Sequence, residues 1–290
     1  MGSYMLDNWG IDDTVPNVKV NFIPDKDHVI IDVDLEQADA QVVAWEADCQ
    51  RLKDIFHNPL LDFHSENAFA FFEGMKGEVV EREEEHLPEG VMVKAKKKWR
   101  NPLKAGAHAT NYRVTAPTLA NTLGCTVDEA QDFIDTWFAL NPEILEWHRR
   151  TEYELATRGY LENKFGFRWR ALGRISQRVL NEAQAWVPQS TVGLVINHGW
   201  DNIETKINQR TNHFGPKDKE WVKIILQVHD SLVMMVHKND LVHLLPEIRD
   251  CMLIEIPYDD PLTIGVGQPE ISYESYGTVK PADWETGEFL

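Results

Sequence analysis

Residues 222–237 read VKIILQVHDSLVMMVH. Two runs of apolar and β-branched residues flank the polar triplet His229-Asp230-Ser231. This pattern predicts two buried strands joined by a tight turn. Asp230 is the anomaly in the pattern, because a carboxylate next to buried strands costs several kcal/mol unless it is paired or bound to a metal.

A second carboxylate follows another apolar run. Residues 28–33 read HVIIDV, which predicts a buried strand, and Asp34 comes directly after it. Two carboxylates at strand ends can share hard cations, and a pair of such ions stabilises the attacking and leaving oxygens of a phosphoryl displacement. The alternative is structural: Asp230 would be a turn residue and Asp34 a helix N-cap. These residues alone do not decide between the two interpretations.

The composition is that of a globular protein with one large domain or two small ones. The chain has 290 residues, of which 43% are hydrophobic, so we exclude a disordered chain, a coiled coil and a collagen-like repeat. It has no apolar run long enough to span a membrane and no secretory signal, and its three cysteines are far apart. We therefore expect a cytoplasmic protein without membrane contact, disulfide framework or zinc site.

The charges are distributed unevenly along the chain. The formal net charge is −18, yet residues 94–127 hold seven Lys or Arg and no acid, and residues 163–181 hold five and no acid. Such segregation is what a negatively charged partner on one face requires. The alternative is a pair of solvated helix faces.

Helical patterns outnumber strand patterns, so the predicted class is α+β. Residues 73–89 are rich in Glu and predict a solvated loop. Other predicted strands are a hairpin over 160–169 and a final strand over 262–266. The predicted helices cover 35–55, 103–112 with Pro102 in the first turn, 126–140, 142–158, 175–210 with an interruption near Pro188, and 239–254.

Three residues of the first basic segment are spaced four apart. Lys104, His108 and Tyr112 would share one face of a helix, and a cation, an imidazole and an aromatic ring suit a nucleoside triphosphate. The alternative is an amphipathic surface helix with a snorkelling Lys. Arg170, Arg174 and Arg178 form a second row that would follow a phosphate backbone if the segment were helical, although such rows are more often solvated.

Several short sequence motifs follow one another in a fixed order between about His28 and Gly267. Together they resemble the polymerase domain of family A DNA polymerases, the bacterial and phage repair and replication enzymes. The motif-like stretches are DLEQADAQ at 34–41 (family DYSQIELR), DFH at 62–64 (DIH), KAGAHATNY at 104–112 (RxxxKxxNF), GYLENKFG at 159–166, PQST at 188–191 (PxQGT) and QVHD at 227–230.

The resemblance implies a right-hand polymerase fold, with a small antiparallel palm sheet and a helical fingers subdomain. The implied segments are 1–75 for the first part of the palm, 76–160 for the fingers and 161–290 for the rest of the palm. Asp34 and Asp230 would bind two Mg²⁺, with Mn²⁺ as the alternative ion, and would form the catalytic set with Lys104 and His108. The implied nucleotide-binding residues are Gln37, Asp39, His64, Lys104, His108 and Tyr112, and the implied DNA-binding residues are Gln189, His229, Arg168, Arg170 and Arg174.

Six positions depart from the family pattern, and one of them is Gln41, which replaces an Arg. Lys104 replaces the usual Arg, and His108 replaces the Lys that contacts the triphosphate. Asp39 is one methylene shorter than the Glu that guards against ribose. Ala116 replaces a Tyr, and Ser231 replaces the Glu that usually follows the third-motif Asp. We expect changed triphosphate contacts and less strict sugar selection.

The function that the resemblance implies is template-directed DNA synthesis from dNTPs on a primer-template. Only about 27 residues precede the first motif, so we expect a chain without thumb or exonuclease domain, as in a split phage-type polymerase. Its partner would be a separate thumb or exonuclease polypeptide, or a processivity factor. The alternatives are a catalytically silent DNA-binding subunit and a metal-dependent nuclease.

Overall fold

The structure is a computed structural model that describes residues 17–83, 94–209 and 221–290. The predicted N-terminal entry, acidic loop and end of the long helix lie partly outside these residues. Within them, the α-helices are α1 (Ala38–Ala47), α2 (Gln50–His57), α3 (Phe63–Ala68), α4 (Lys97–Asn111), α5 (Ala116–Leu123), α6 (Val127–Leu140), α7 (Pro142–Arg158), α8 (Gln177–Asn202) and α9 (Leu241–Met252). The strands are β1 (His28–Asp34), β2 (Tyr160–Glu162), β3 (Arg168–Arg170), β4 (Val222–Val228), β5 (Ser231–His237), β6 (Glu255–Ile256), β7 (Leu262–Thr263), β8 (Glu270–Ser272) and β9 (Lys280–Pro281).

The main sheet has five strands in the order β4-β5-β1-β8-β9, and its pairs are antiparallel. β4 and β5 form the predicted hairpin, with Val228 paired to Ser231 across the turn. β1 pairs with β5 along its whole length, from His28 opposite His237 to Asp34 opposite Ser231. The predicted α+β class with a small antiparallel sheet is therefore confirmed.

The faces of β1 differ in chemistry, because side chains alternate along a strand. Val29, Ile31 and Val33 are completely buried on one face. The other face carries Ile30, then Asp32, then Asp34. Ile30 lies in an apolar cluster with partners from neighbouring elements, so this face changes from apolar to acidic toward the C-terminal end of the strand. The other buried members of the cluster are Val233, Met235 and Tyr276.

The chain forms two compact units. The first contains the described residues of Met1–Glu36, Val195–Glu255 and Thr263–Leu290, including the five-stranded sheet and α9. The second contains those of Gln37–Leu194 and Ile256–Leu262, which are mainly helical. Compactness does not by itself define functional subdomains, so the segments 1–75, 76–160 and 161–290 stay a prediction. No helix in the described ranges is long and apolar enough to traverse a lipid bilayer.

Helix ends of the second unit follow from local sequence signals. Thr126 accepts a hydrogen bond from the Glu129 N–H and Glu129 accepts one from the Thr126 N–H, so the predicted capping box starts α6. Gly159 ends α7 with a φ of 72°, a left-handed conformation that suits glycine. Gly106 lets α4 approach α6, because a Cβ there would lie 2.4 Å from Cζ of Phe133.

Three predicted helices have different bounds. The helix predicted over 35–55 is divided into α1 and α2, because Asp48 adopts a left-handed φ of 54° and forms an ion pair with Lys53. Pro188 lies inside α8 without interrupting it, and Pro102 lies inside α4 rather than in its first turn. Packing of these helices outweighs the one main-chain hydrogen bond that each proline removes.

Buried polar contacts hold the C-terminal end of α4. The Nε1–H of Trp137 donates to Oδ1 of Asn111 at 2.9 Å, and Nε2–H of His148 donates to the Asn111 carbonyl oxygen at 2.8 Å. Burial lowers the pKa of His148 to about 4. The imidazole is therefore neutral at pH 7 and connects α7 to the end of α4.

We predict that acid destabilises this contact. The pKa of His148 is near 6.5 in the unfolded chain and about 4 in the fold, so the unfolded state binds more protons below pH 6.5. Stability should fall as the pH decreases from 7 to 5, by about 1–2 kcal/mol for this residue. Urea unfolding at several pH values checks this. His148→Gln should show a weaker pH dependence than the native chain; an equal dependence would contradict the prediction.

A second stability prediction concerns the turn between β4 and β5. His229 has a φ of 56°, in the left-handed region where side chains cost about 1–2 kcal/mol. His229→Gly should therefore be at least as stable as the native chain, and His229→Val clearly less stable, since a β-branched side chain tolerates this conformation worst. Thermal unfolding compares the stability of the two variants, and a Val variant as stable as the Gly variant would contradict the prediction.

Candidate active site

Pairing of β1 with β5 brings the two predicted metal carboxylates together. Asp34 is the last residue of β1 and lies opposite Ser231, which directly follows Asp230 in the β4–β5 turn. The Leu35 N–H donates to the Asp230 carbonyl oxygen at 3.1 Å, and the Gly267 N–H donates to the Asp34 carbonyl oxygen at 2.9 Å. The main-chain hydrogen bonds therefore fix both residues at the same end of the paired strands, although their positions differ by 196 in the sequence.

The two carboxylates interact strongly. The pKa of Asp34 is raised to about 7, first by loss of solvation and then by the negative charge of Asp230. Asp32 adds to this effect, and burial raises its own pKa as well. Like charges held this close favour binding of either a proton or a cation.

The donor set fits a hard divalent cation. Carboxylate oxygens are the ligands that Mg²⁺ prefers, and Oδ1 of Asp32 is buried without a hydrogen-bond partner in the described part of the chain. Within that part, no group of three or more His, Cys, Asp or Glu side chains is arranged to hold a metal ion. Any ion held by Asp34 and Asp230 would therefore take its other ligands from water, main-chain carbonyls or a substrate.

His229 precedes Asp230 in the turn. Its side chain is about half exposed, and its Nδ1 lies 3.5 Å from Oδ1 of Asp230. Gln227, at the end of β4, is exposed as well. The left-handed conformation of His229 turns the chain so that the QVHD stretch lies at the edge of the sheet that carries Asp34.

Of the predicted face, Lys104 and His108 lie on α4, and Tyr112 follows the helix as its C-cap residue. Arg100, Lys104 and His108 follow one another along the helix, and Lys104 and His108 are exposed. Arg100 binds Asp62 through two hydrogen bonds, at 2.9 and 2.8 Å. His64 belongs to the same group, because burial, Lys104 and Arg100 lower its pKa to about 4.

Tyr112 and Asp39 form another contact of the second unit. The pKa of Tyr112 is raised well above its usual value by burial and by the nearby charge of Asp39. The ring of Tyr112 meets the edge of the His108 ring at a centroid distance of 4.8 Å. Asp39 lies in the first turn of α1, directly after Gln37, Ala38 and a left-handed φ of 50° at Gln37.

The predicted DNA-binding arginines do not form one helical row. Arg170 lies in β3, Arg174 in the loop that follows, and Arg178 in α8, so the helical segment on which an i, i+4 row depended is not formed. Arg168 and Arg170 lie in the same short hairpin, with guanidinium carbons 5.0 and 5.7 Å from the centre of the Tyr160 ring. The hairpin predicted from its turn residues therefore separates these arginines.

Local acids reduce the positive charge of both basic segments. Glu81 pairs with Lys96 at 3.0 Å and also with Lys98, and Arg168 pairs with Glu162. Arg178 pairs with Glu182 at 2.8 Å. Gln189 is exposed on α8. Arg170, Arg174 and Gln189 are thus the exposed predicted DNA contacts of this part of the chain, besides Arg168.

Sequence reasoning missed two features. It did not single out Asp32, although its spacing of two from Asp34 already places both on one face of a strand. It also missed the pairing of Arg100 with Asp62, which no local spacing indicates because 38 residues separate them.

The comparisons with known proteins agree in the kind of protein they find. DNA polymerase I, thermostable, of Thermus filiformis is 26% identical over 253 residues, which are 86% of this chain and 28% of that protein. DNA polymerase I of Rhizobium leguminosarum is 28% identical over 245 residues, 81% of this chain and 22% of that protein. The chain thus spans about a quarter of the length of these curated relatives.

A solved structure has a similar fold. It is the POL domain of Pol1 from M. smegmatis, in complex with DNA primer-template and dNTP, with a TM-score of 0.69 and 19% identity. The match covers 89% of this chain and 42% of that chain. The right-hand polymerase fold predicted for the matched part is confirmed.

The family model gives the assignment. The model of DNA polymerase family A matches residues 10–270, which is most of the sequence and includes both strand-end carboxylates. This agrees with the order of motifs in the sequence and with the fold of the solved structure. The chain belongs to DNA polymerase family A.

Proposed function

We propose that this protein is a template-directed DNA polymerase that transfers a nucleotide from a dNTP to a primer 3′-hydroxyl. The reaction joins the primer oxygen to the α-phosphorus and releases pyrophosphate. The observation that carries the proposal is the meeting of Asp34 and Asp230 at one edge of the sheet, in a chain of the polymerase family.

Asp34 and Asp230 are the residues that would hold two Mg²⁺, with Mn²⁺ as the alternative ion. When bound, the pair of ions would stabilise the attacking and leaving oxygens of the displacement. The raised pKa of Asp34 supports this role, because a site that concentrates negative charge gains most from a cation.

Lys104, His108 and His64 would contact the triphosphate. Lys104 is exposed and carries a charge that suits phosphate oxygens. His64 stays neutral at pH 7, since its pKa is about 4, so it would donate a hydrogen bond rather than supply charge. His108 is a weaker cation than the Lys that the family usually has at this position. Lys104 would therefore provide the positive charge for the triphosphate.

Asp39 and Tyr112 would select the sugar, and Gln37 would contact the nucleotide next to them. The charge of the Asp39 carboxylate acts on the Tyr112 hydroxyl, so these two polar groups lie close together beside the end of α4. A restrained polar pair discriminates against an added hydroxyl better than a mobile one. Tyr112 would also offer its ring to the incoming base.

The DNA contacts proposed are Gln189, His229, Arg168, Arg170 and Arg174. The exposed arginines suit the phosphate backbone. The similar solved structure contains DNA primer-template and dNTP, which supports these partners for the present chain. The separate thumb or exonuclease polypeptide, the processivity factor and the cytoplasmic location stay predictions from the sequence.

The first functional prediction concerns the metal carboxylates. Asp230→Asn should reduce primer extension at least about a thousandfold, because a neutral amide no longer holds the cation that stabilises the transition state. Thermal unfolding should stay near that of the native chain, as the side chain is about one-third exposed. Asp25→Asn, which removes an exposed carboxylate of the same unit, is the control and should extend normally.

One assay separates the three functional candidates. Labelled primer is incubated with Mg²⁺ and dNTPs, with and without template. A polymerase extends the primer only with template, a silent subunit leaves it unchanged, and a nuclease shortens it in either case. Template-independent shortening that Asp230→Asn abolishes would replace the polymerase proposal with the nuclease.

A second functional prediction concerns the sugar. Asp39→Ala should raise incorporation of rNTPs relative to dNTPs by roughly tenfold or more, because the variant loses the carboxylate that interacts with Tyr112. Extension with dNTPs should be less affected. The ratio of kcat/KM for a matched rNTP and dNTP measures the change. An unaltered ratio in Asp39→Ala would exclude this role for Asp39.

A further inference from the structure

Asp32 is a partly buried carboxylate that the proposed mechanism does not use. It lies in the middle of the acidic end of β1, two residues before Asp34 and on the same face of the strand. Its cross-strand neighbours are Val233 on β5 and Glu270 on β8. Asp32 thus lies between the apolar cluster around Ile30 and the pair formed by Asp34 and Asp230.

The hydroxyls of Ser231 and Tyr276 act on the Asp32 carboxylate and lower its pKa, but one carboxylate oxygen has no protein donor in the described part of the chain. Its Oδ1 is buried and has no hydrogen-bond partner among the described residues. An unsatisfied carboxylate oxygen is costly in a folded chain, so its retention calls for a ligand or water that completes it. The charge of Asp32 acts on Asp34, and the charge of Asp230 acts on Asp32, so the three carboxylates form one electrostatic group.

Negative charge on this face exceeds positive charge. Glu270 lies directly opposite Asp32 in the sheet and adds a fourth carboxylate. The cation that acts on both Asp32 and Glu270 is Lys19, whose Nζ lies 4.3 Å from the centre of the Tyr276 ring. Ser231, directly opposite Asp34, contributes a hydroxyl and no charge.

We propose that Asp32 is a positioning residue of the cation site, where its charge and its buried Oδ1 hold the hydration shell of an ion bound by Asp34 and Asp230. This rests on the proposed function of those two residues. Mg²⁺ retains several waters in protein sites, and carboxylates behind the direct ligands orient such waters. In this proposal Asp32 acts behind Asp34 and Asp230 and is not itself a direct ligand.

Mn²⁺ binding to the full chain tests the proposal without measuring catalysis. The free Mn²⁺ signal in electron paramagnetic resonance gives the Kd for the native chain and for Asp32→Asn, which keeps the shape and removes the charge. We expect the Kd to rise about tenfold in Asp32→Asn. Asp32→Ser is a second neutral variant, so the result does not depend on the folding of a single substitution.

The matched control is Asp25→Asn, which removes the same charge from an exposed position that pairs with Lys223 at 3.2 Å. Its Kd should stay within about twofold of the native value, because an exposed charge at a distance is screened by salt. Native affinity in Asp32→Asn and Asp32→Ser would overturn the inference. Equal weakening in Asp25→Asn would also overturn it, because net charge alone would then explain the effect.

Thermal unfolding and Asp230→Asn complete the experiment. Without metal, Asp32→Asn should unfold at no lower temperature than the native chain, since it removes like-charge repulsion, while its stabilisation by Mn²⁺ should be smaller. A lower metal-free unfolding temperature with unchanged Kd would mean a purely structural role and overturn the inference. If Asp230→Asn also binds Mn²⁺ like the native chain, the proposed metal site itself fails, rather than the role of Asp32 alone.

Discussion

The register between β1 and β5 is the constraint on which the rest of the first unit depends. A shift by one residue would move Asp34 to the opposite face and bury it among Val29, Ile31 and Val33. The apolar residues on both strands exclude that shift, because carboxylates would then replace them in the core. The hydrophobic core therefore places the acids at the edge of the sheet, and the acids need no attraction to each other.

Electrostatic strain at this edge is the physical basis of the proposed chemistry. Asp34 and Asp230 repel one another, and the pKa of Asp34 rises to about 7 as a result of this repulsion and of lost solvation. The fold tolerates the repulsion because the seven residue pairs between β1 and β5 stabilise the strand that carries Asp34 and the strand that follows Asp230. A divalent cation bound there, as proposed, would relieve this repulsion.

In the second unit, hydrogen bonds from side chains hold α4 in place. Asn111 accepts hydrogen bonds from Trp137 and His148, which fixes the end of α4, and Asp62 holds Arg100 nearer its start. Held by these contacts, α4 presents Lys104 and His108 to solvent. This positioning supports the roles proposed for these side chains, because positioned charges bind phosphate with less loss of conformational entropy.

The sequence by itself indicated β1, β4, β5 and the β2–β3 hairpin, the capping box of α6, the glycine end of α7 and the family resemblance, because alternation, capping and motif order are local signals. It also indicated Asp34 and Asp230, because a carboxylate next to a buried apolar run is unusual. Only the tertiary structure decided that Asp48 divides the first helix, that α8 continues through Pro188, and that Arg170 and Arg174 leave the helical row. It also decided the pairing of Arg100 with Asp62. These features depend on contacts between residues far apart in the chain, whose free energy outweighs local preference and leaves no local pattern.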